Sequence, residues 1–314
     1  MMPASRPLTI VMYHYVRDLE RSRFPAIKGL SVERFCRQLD FIQSRYTPVT
    51  IQDLFAAQAS SEKELPPDPI LLTFDDGYSD HFANVFPLLD ARGIQGCFFP
   101  PAQAILEHRV LDVNKIQFVL ASVPDVEALL DQVFSSLAEF RSEYALKTKE
   151  AYLLAFTEEH RYDRREVILL KRLLQRELPE AVRVELVQRL FAEHVTSDET
   201  AFACELYMSV DQIACLQRHG MHIGSHGYSH AWLNHISPQA QTMEVDRSLA
   251  FLQKFGVRDE WTMCYPYGGF NESLLEILRA RHCHLGFTVE ARLANLDTDD
   301  PLTLPRIDTN DLPS

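Results

Sequence analysis

Residues 70–80, Ile70-Leu71-Leu72-Thr73-Phe74-Asp75-Asp76-Gly77-Tyr78-Ser79-Asp80, decide how this chain is read. The apolar run Ile70-Leu71-Leu72 has the character of a short buried strand. Two adjacent carboxylates therefore arrive at a strand's end, where α/β folds keep their active sites. Asp-Gly is also a common turn signal, and Asp80 or Ser79 can cap a following helix. A second cluster weighs against a mere turn. Ser225-His226-Gly227-Tyr228-Ser229-His230 also follows a buried apolar stretch and holds two histidines four residues apart. Together the clusters offer one Asp and two His for a metal and leave one carboxylate spare.

Strand and helix alternate around both clusters. A first strand is expected over residues 9–15, rich in β-branched and aromatic side chains, with His14 at its end. Ser31 caps an amphipathic helix that runs to about Ser44, with Val32, Phe35, Leu39 and Ile42 at helical spacing. Ile51, Leu54 and Phe55 form one face of a shorter helix, and residues 59–69, with three prolines, form a linker loop. After the Asp pair, residues 82–92 predict a helix closed by Gly93, and Cys97-Phe98-Phe99 another buried strand. This order at short spacing implies parallel pairing through a crossover helix.

From residue 102 to 205 the pattern changes to helices alone, at 113–122, 126–137, 147–156, 164–178 and 180–195, with charges of both signs interleaved as on solvated faces. This segment is expected to be a helical insertion serving as a lid, a substrate-binding element or an oligomer contact. Alternation then resumes. Ser209 opens a helix with a capping box and Gly220 closes it. Strands follow at 221–224, 261–265, 285–289 and 304–308, with helices starting at Ser237-Pro238 and Asn271 between them. About seven strands outside the insertion predict a parallel (β/α) barrel, complete or incomplete. The barrel would comprise residues 1–101 and 206–314, and the insertion residues 102–205.

The 314 residues suffice for one large α/β domain with an insertion. A net charge of −13 argues against a broad footprint for nucleic acid or an anionic membrane. The apolar run at residues 8–13 is too short and polar for a signal-peptide core, and no stretch approaches the ~20 apolar residues that span a bilayer. The expected location is the cytoplasm. The six cysteines are scattered without a C-x-x-C pair, which fits reduced, mostly buried thiols.

A hydrolytic metal site commonly takes three protein ligands and leaves a position for water, whose pKa falls toward ~7. Asp76, His226 and His230 meet that description, provided the histidine segment turns helically after its strand so that both rings face one way. Zinc is the first expectation among divalent ions. Asp75 is then the general base that takes a proton from metal-bound water. Adjacent strand residues point to opposite faces, but at a strand's end, where the backbone turns, both acids can reach one pocket.

Thr73-Phe74-Asp75-Asp76-Gly77, Ser225-His226-x-x-x-His230 and Tyr265-Pro266-Tyr267-Gly268 resemble, in order, three motifs of the polysaccharide deacetylase family, the NodB-homology carbohydrate esterases. The likeness covers about residues 8–100 and 206–308. It implies a distorted, incomplete (β/α) barrel and metal-dependent removal of an acetyl group from a sugar. It implies Asp75 as base, Asp76, His226 and His230 as metal ligands, and Pro266, Tyr267 and Gly268 at the substrate, with the Tyr267 N–H stabilising the oxyanion. The chain departs from the family pattern twice. Cys264 stands where the family often has an arginine, which makes Arg306 the candidate partner of Asp75. No histidine follows His284, where the family usually has a Leu-x-His acid. In branches with rearranged motifs a Met-Tyr-His segment opens the domain, so His14 is the candidate acid.

The expected substrate is an acylated sugar or surface-polysaccharide precursor, nucleotide- or lipid-linked. Rival readings are hydrolysis of a non-sugar amide or cyclic imide by the same groups, and a carbohydrate-binding protein without catalysis. Trp261, Tyr78 and Tyr228 can either stack on a sugar or fill core.

Overall fold

The computed structural model describes residues 7–60, 63–155 and 164–313. The reading of the N-terminus before Pro7, part of the proline-rich linker and the end of the helix expected to reach residue 156 lie outside them. The chain divides into two compact units, one of residues 1–18, 29–109 and 203–314, the other of residues 19–28 and 110–202.

Among the described residues of the first unit nine strands form in chain order: β1 (Pro7–Tyr13), β2 (Thr47–Pro48), β3 (Pro69–Asp75), β4 (Gly96–Phe99), β5 (His222–Ile223), β6 (Trp261–Cys264), β7 (Cys283–Phe287), β8 (Ala294–Asn295) and β9 (Ile307–Asp308). The order β5-β4-β3-β1 is hydrogen-bonded in parallel throughout, and β9 lies parallel to β1. Registers such as Tyr13↔Phe74 and Asp75↔Phe99 bring the C-terminal ends of β1, β3 and β4 level. β6 and β7 form a separate parallel pair. Among the described residues, the single bridges Ser225↔Met263 and Phe287↔Leu304 link that pair to the rest of the ring. The architecture is therefore a distorted, incomplete (β/α) barrel. The seven expected strands are present within a few residues. β2 and β8 are additional, and at two residues each they are too short to show a period.

Strand alternation sorts the side chains. Ile10, Leu71, Cys97, Phe99, Cys264, Leu285, Phe287 and Leu304 share one buried cluster. On the opposite face Phe74 stacks between Tyr13 and Phe98, at ring separations of 5.0 and 4.9 Å. Thr73 and Asp75 are in phase with Leu71, so the strand that fills the core ends by aiming a carboxylate along the same face. Close approach makes room for the second cluster: a Cβ on Gly224 would lie 2.4 Å from the Phe99 ring and 2.5 Å from Thr262 Oγ1.

The helices start where capping chemistry predicts. Ser31 accepts from the Arg34 N–H at the head of Val32–Arg45, Thr50 and Asp53 form a capping box on Ile51–Ala59, and Ser209 and Gln212 form another on Val210–Arg218. The helix expected at 82–92 is instead a π-helical turn, His81–Val85, followed by the short helix Phe86–Asp90. Neither candidate cap acts there: Asp80 pairs with Arg17, and the Ser79 hydroxyl donates to the Glu205 carbonyl.

The second unit is helical among its described residues, with Asp112–Ser122, Val126–Ser136, Lys149–Ala155, Arg165–Arg172 and Glu180–His194. Ile116, Val119, Leu170, Leu174, Val187 and Leu190 converge in its core. Lys115, 2% exposed, is neutralised by Glu199 at 3.0 Å and bonded to Gln188 at 2.7 Å, as a buried ammonium requires. Among the described residues no helix is long and apolar enough to cross a membrane.

Candidate metal and acid–base site

β3 carries Asp75 to its last position, and the chain then turns through two consecutive left-handed residues, Asp76 (φ 69°) and Gly77 (φ 67°). This reversal brings Asp76 to the same pocket as Asp75 despite strand alternation. Aspartate tolerates the conformation better than most side chains, and Gly77 has no room for one: a Cβ there would sit 2.7 Å from Pro100 Cβ.

The histidines converge by a different route from the one expected. Residues 224–230 contain no helical turn. Gly227 (φ 71°) and His230 (φ 61°) bend the chain instead, and the two imidazoles meet edge to face at 4.8 Å. The Glu244 carboxylate braces this loop, accepting from the N–H groups of Tyr228 and Ser229 and from the Ser229 hydroxyl.

Nε2 of His226 and Nε2 of His230 each lie 3.3 Å from Asp76 Oδ1. His226 Nδ1 is 2.8 Å from the Cys264 carbonyl, which can only accept, so that nitrogen carries a proton and Nε2 is the atom turned toward Asp76. The Tyr78 hydroxyl donates to Asp76 Oδ2 at 2.6 Å, whereas Oδ1 is buried without a hydrogen-bond partner. Burial alone would raise the Asp76 carboxyl, but the two imidazoles hold it well below the usual carboxylate range. An orphaned carboxylate oxygen between two imidazole nitrogens fits a divalent cation. These ligand atoms all lie within 4.8 Å of one another, and the N₂O donor set suits zinc and similar ions.

Asp75, 2% exposed, is held differently. Arg306 Nη1 and Nη2 donate to its two oxygens at 2.9 and 2.8 Å, and the Cys264 thiol donates to Oδ1 at 3.3 Å. Arg306, itself 1% exposed, also donates to Thr73 Oγ1 and to the Thr288 carbonyl. Burial pushes the Asp75 carboxyl up, but the guanidinium outweighs it and carries it down to about 2. Asp75, His226 and Cys264 are also close enough to hold an ion. With Asp75 already neutralised by Arg306, the Asp76 group suits a cation better.

His14 is half-buried and lies one residue beyond β1, whose end is level with that of β3. Tyr267 lies in the turn Pro266–Gly268 after β6, with φ 58°. Its ring is 4.7 Å from His230 and stacks flat on Trp232 at 4.2 Å. Three of the site's side chains, Asp76, His230 and Tyr267, thus sit at left-handed backbone positions, a conformation that clusters at functional sites.

The aromatic candidates resolve into structural roles. Trp261 is fully buried and donates to the Arg281 carbonyl. Tyr78 is fully buried and orients Asp76. Tyr228 packs under the Arg247 guanidinium at 3.4 Å. His222 is buried against Thr262, and His284 lies beside Phe55. The bond from Tyr78 to Asp76 and the Trp232 platform on Tyr267 were not marked by any sequence motif. A tyrosine two residues after the candidate ligand, in the same tight turn, is the only sequence signal for the first.

The polysaccharide deacetylase family model matches residues 62–133 and 190–285. Among curated proteins, a 91-residue stretch is 28% identical to "Putative polysaccharide deacetylase YxkH" of Bacillus subtilis (strain 168), spanning 29% of this chain and 33% of that protein. Solved structures of similar fold include a Streptococcus pyogenes deacetylase, PplD, in complex with acetate, with TM-score 0.61 and 15% identity over 99% of this chain and 94% of that one. IcaB from Ammonifex degensii aligns with TM-score 0.55 and 19% identity over 97% and 92% of the two chains. The BpsB deacetylase domain from Bordetella bronchiseptica aligns with TM-score 0.56 and 16% identity over 96% of each. At these identities the structures speak for the fold.

Proposed function

The chain belongs to the polysaccharide deacetylase family, and we propose that it is a metal-dependent hydrolase removing an N-acetyl or other acyl group from a sugar or polysaccharide precursor. The observation that carries this reading is Asp76 Oδ1, buried without a hydrogen-bond partner between two imidazole nitrogens and next to a second carboxylate that is paired separately. Asp76, His226 and His230 would hold the ion, zinc first. A divalent cation there lowers the pKa of water and polarises an acyl carbonyl.

The chain's own groups have distinct tasks in this reading. Asp75, kept ionised by Arg306, accepts a proton from the attacking water. Arg306 fixes the carboxylate's direction through two parallel bonds, the geometry in which a guanidinium is most directional. The Tyr267 N–H faces the developing oxyanion, a donor role worth ~3 kcal/mol in related chemistry. His14 protonates the departing nitrogen, and Trp232 with Tyr267 offers a flat apolar surface to a sugar ring. Products are acetate and a free amino sugar, formed in the cytoplasm on a linked precursor.

The test combines metal analysis of purified protein with acetate release from a panel of N-acetylated sugars and ring opening of a panel of cyclic imides. About one equivalent of divalent ion, acetate from a sugar, and loss of both in Asp76→Ala are expected. Asp75→Asn should keep the ion and lose turnover; full turnover in that variant refutes the base assignment.

A further inference from the structure

Four consecutive residues leave the end of β1, and each is gripped by a residue of the segment that follows the Asp pair. His81 Nε2 lies 2.9 Å from the His14 carbonyl, and the Tyr15 ring stacks on Tyr78 with centroids 3.9 Å apart. Asn84 Nδ2 donates to the Val16 carbonyl at 2.8 Å, and Arg17 Nε pairs with Asp80 Oδ2 at 2.7 Å. His81 and Asn84 belong to the π-helical turn, in which the Phe86 N–H reaches back to the His81 carbonyl. Single π turns inside helices are rare and concentrate at functional sites. The far side of the gripped segment is pinned by backbone bonds, Leu30 N–H to Tyr15 O and Arg17 N–H to Leu30 O.

His81 is fully buried among Phe74, Tyr78 and Phe98. The His14 carbonyl can only accept, so His81 Nε2 carries the proton; Nδ1 is buried without a partner. The side chain thus makes one polar contact, and that contact is to the backbone of residue 14. A buried polar group retained for a single bond needs a reason, since leaving Nδ1 unpaired is destabilising.

We propose that Asp80, His81 and Asn84 form a clasp that positions His14 against the Asp75–Asp76 turn, making the acid, the base and a metal ligand one rigid unit. His81 and Asn84 are positioning residues that act through His14. This rests on the assignment of His14 as the acid in the reaction proposed above.

Leaving-group dependence tests it, because an amine must be protonated to depart and an aryloxide need not. Activity is measured on an N-acetylated oligosaccharide and on 4-nitrophenyl acetate, with bound zinc quantified in every variant. His14→Ala should lower amide kcat/KM by about 100-fold or more and ester turnover far less, as expected when a general acid is removed. His81→Leu and Asn84→Ala should show the same selective loss, about 10-fold, with zinc content unchanged, and His81→Gln should recover activity by restoring a donor to the His14 carbonyl. Asn84→Ala, on a half-buried side chain, guards against failure of the His81 variants to fold. If His14→Ala is selective while the clasp variants depress both substrates equally, or neither, the clasp is wrong and the acid assignment stands. Loss of zinc in the clasp variants also overturns it, since the turn would then be holding Asp76. If His14→Ala is itself unselective, the acid assignment fails first.

Discussion

Arg306→Met removes the positive partner of a carboxylate that has nowhere else to send its charge. Asp75 and Arg306 are 2% and 1% exposed and joined by two bonds of 2.9 and 2.8 Å. Unit charges about 4 Å apart attract by about 4 kcal/mol at an effective dielectric constant near 20. Breaking a buried pair by removing one member typically costs about 3–5 kcal/mol, because the other is left uncompensated. The variant should therefore lose about 3–5 kcal/mol in urea unfolding at pH 7, read as a lower midpoint at unchanged slope. Asp75→Asn combined with Arg306→Met should be less destabilised than the sum of the singles by about 1–3 kcal/mol. The sign of the pH effect follows from the depressed Asp75 value. The pair's contribution is fully present above the ordinary carboxylate value of about 4 and is lost as pH falls through about 2. Without Arg306, burial acts unopposed and Asp75 protonates at higher pH, so the acid limb of the kcat/KM profile should move upward in Arg306→Met. Additive single effects, or an acid limb that stays in place, would refute the claim that Arg306 keeps Asp75 ionised.

Burial pushes both His81 and His222 down to about 4. The unfolded chain therefore takes up protons first as pH falls, and stability that is complete above about pH 6.5 should drop by about 2 kcal/mol per ring by pH 5; urea midpoints at the two pH values check it, and His222→Gln should flatten the dependence. Gly77→Ala forces a Cβ to 2.7 Å from Pro100 Cβ at a φ of 67° and should cost at least about 2 kcal/mol by thermal melting, more than left-handed strain alone. Asp76→Asn keeps a residue tolerant of φ 69° but removes the anionic group of the proposed ion site, so the melting temperature of the metal-free protein should change little while bound divalent ion is lost, as mass analysis would report.

The barrel strands were legible because each couples a short apolar run to a helix start or stop, and Ser31, Ser209, Ser237 and Asn271 all cap as their chemistry predicts. β2 and β8, Thr47–Pro48 and Ala294–Asn295, were not, because neither segment carries an apolar run. At the site, pairing the two acids with the two histidines followed from residue type and strand-end position. The path by which they meet did not: the i, i+4 spacing suggested a helical turn, and left-handed bends at Gly227 and His230 do the work instead. Such bends are set by tertiary packing, which spacing does not encode. Nor does sequence order show that Arg306 reaches a carboxylate 231 positions away, or that the π turn takes hold of the chain after β1.

The left-handed backbone at Asp76 has a consequence for how this sequence can drift. One nucleotide change converts an aspartate codon to asparagine or glycine, the very residues that accept φ near 69° without penalty. The shortest mutational steps away from Asp76 therefore keep its backbone conformation while abolishing its charge. Descendants that keep this turn but lose the proposed ion site lie a single step away.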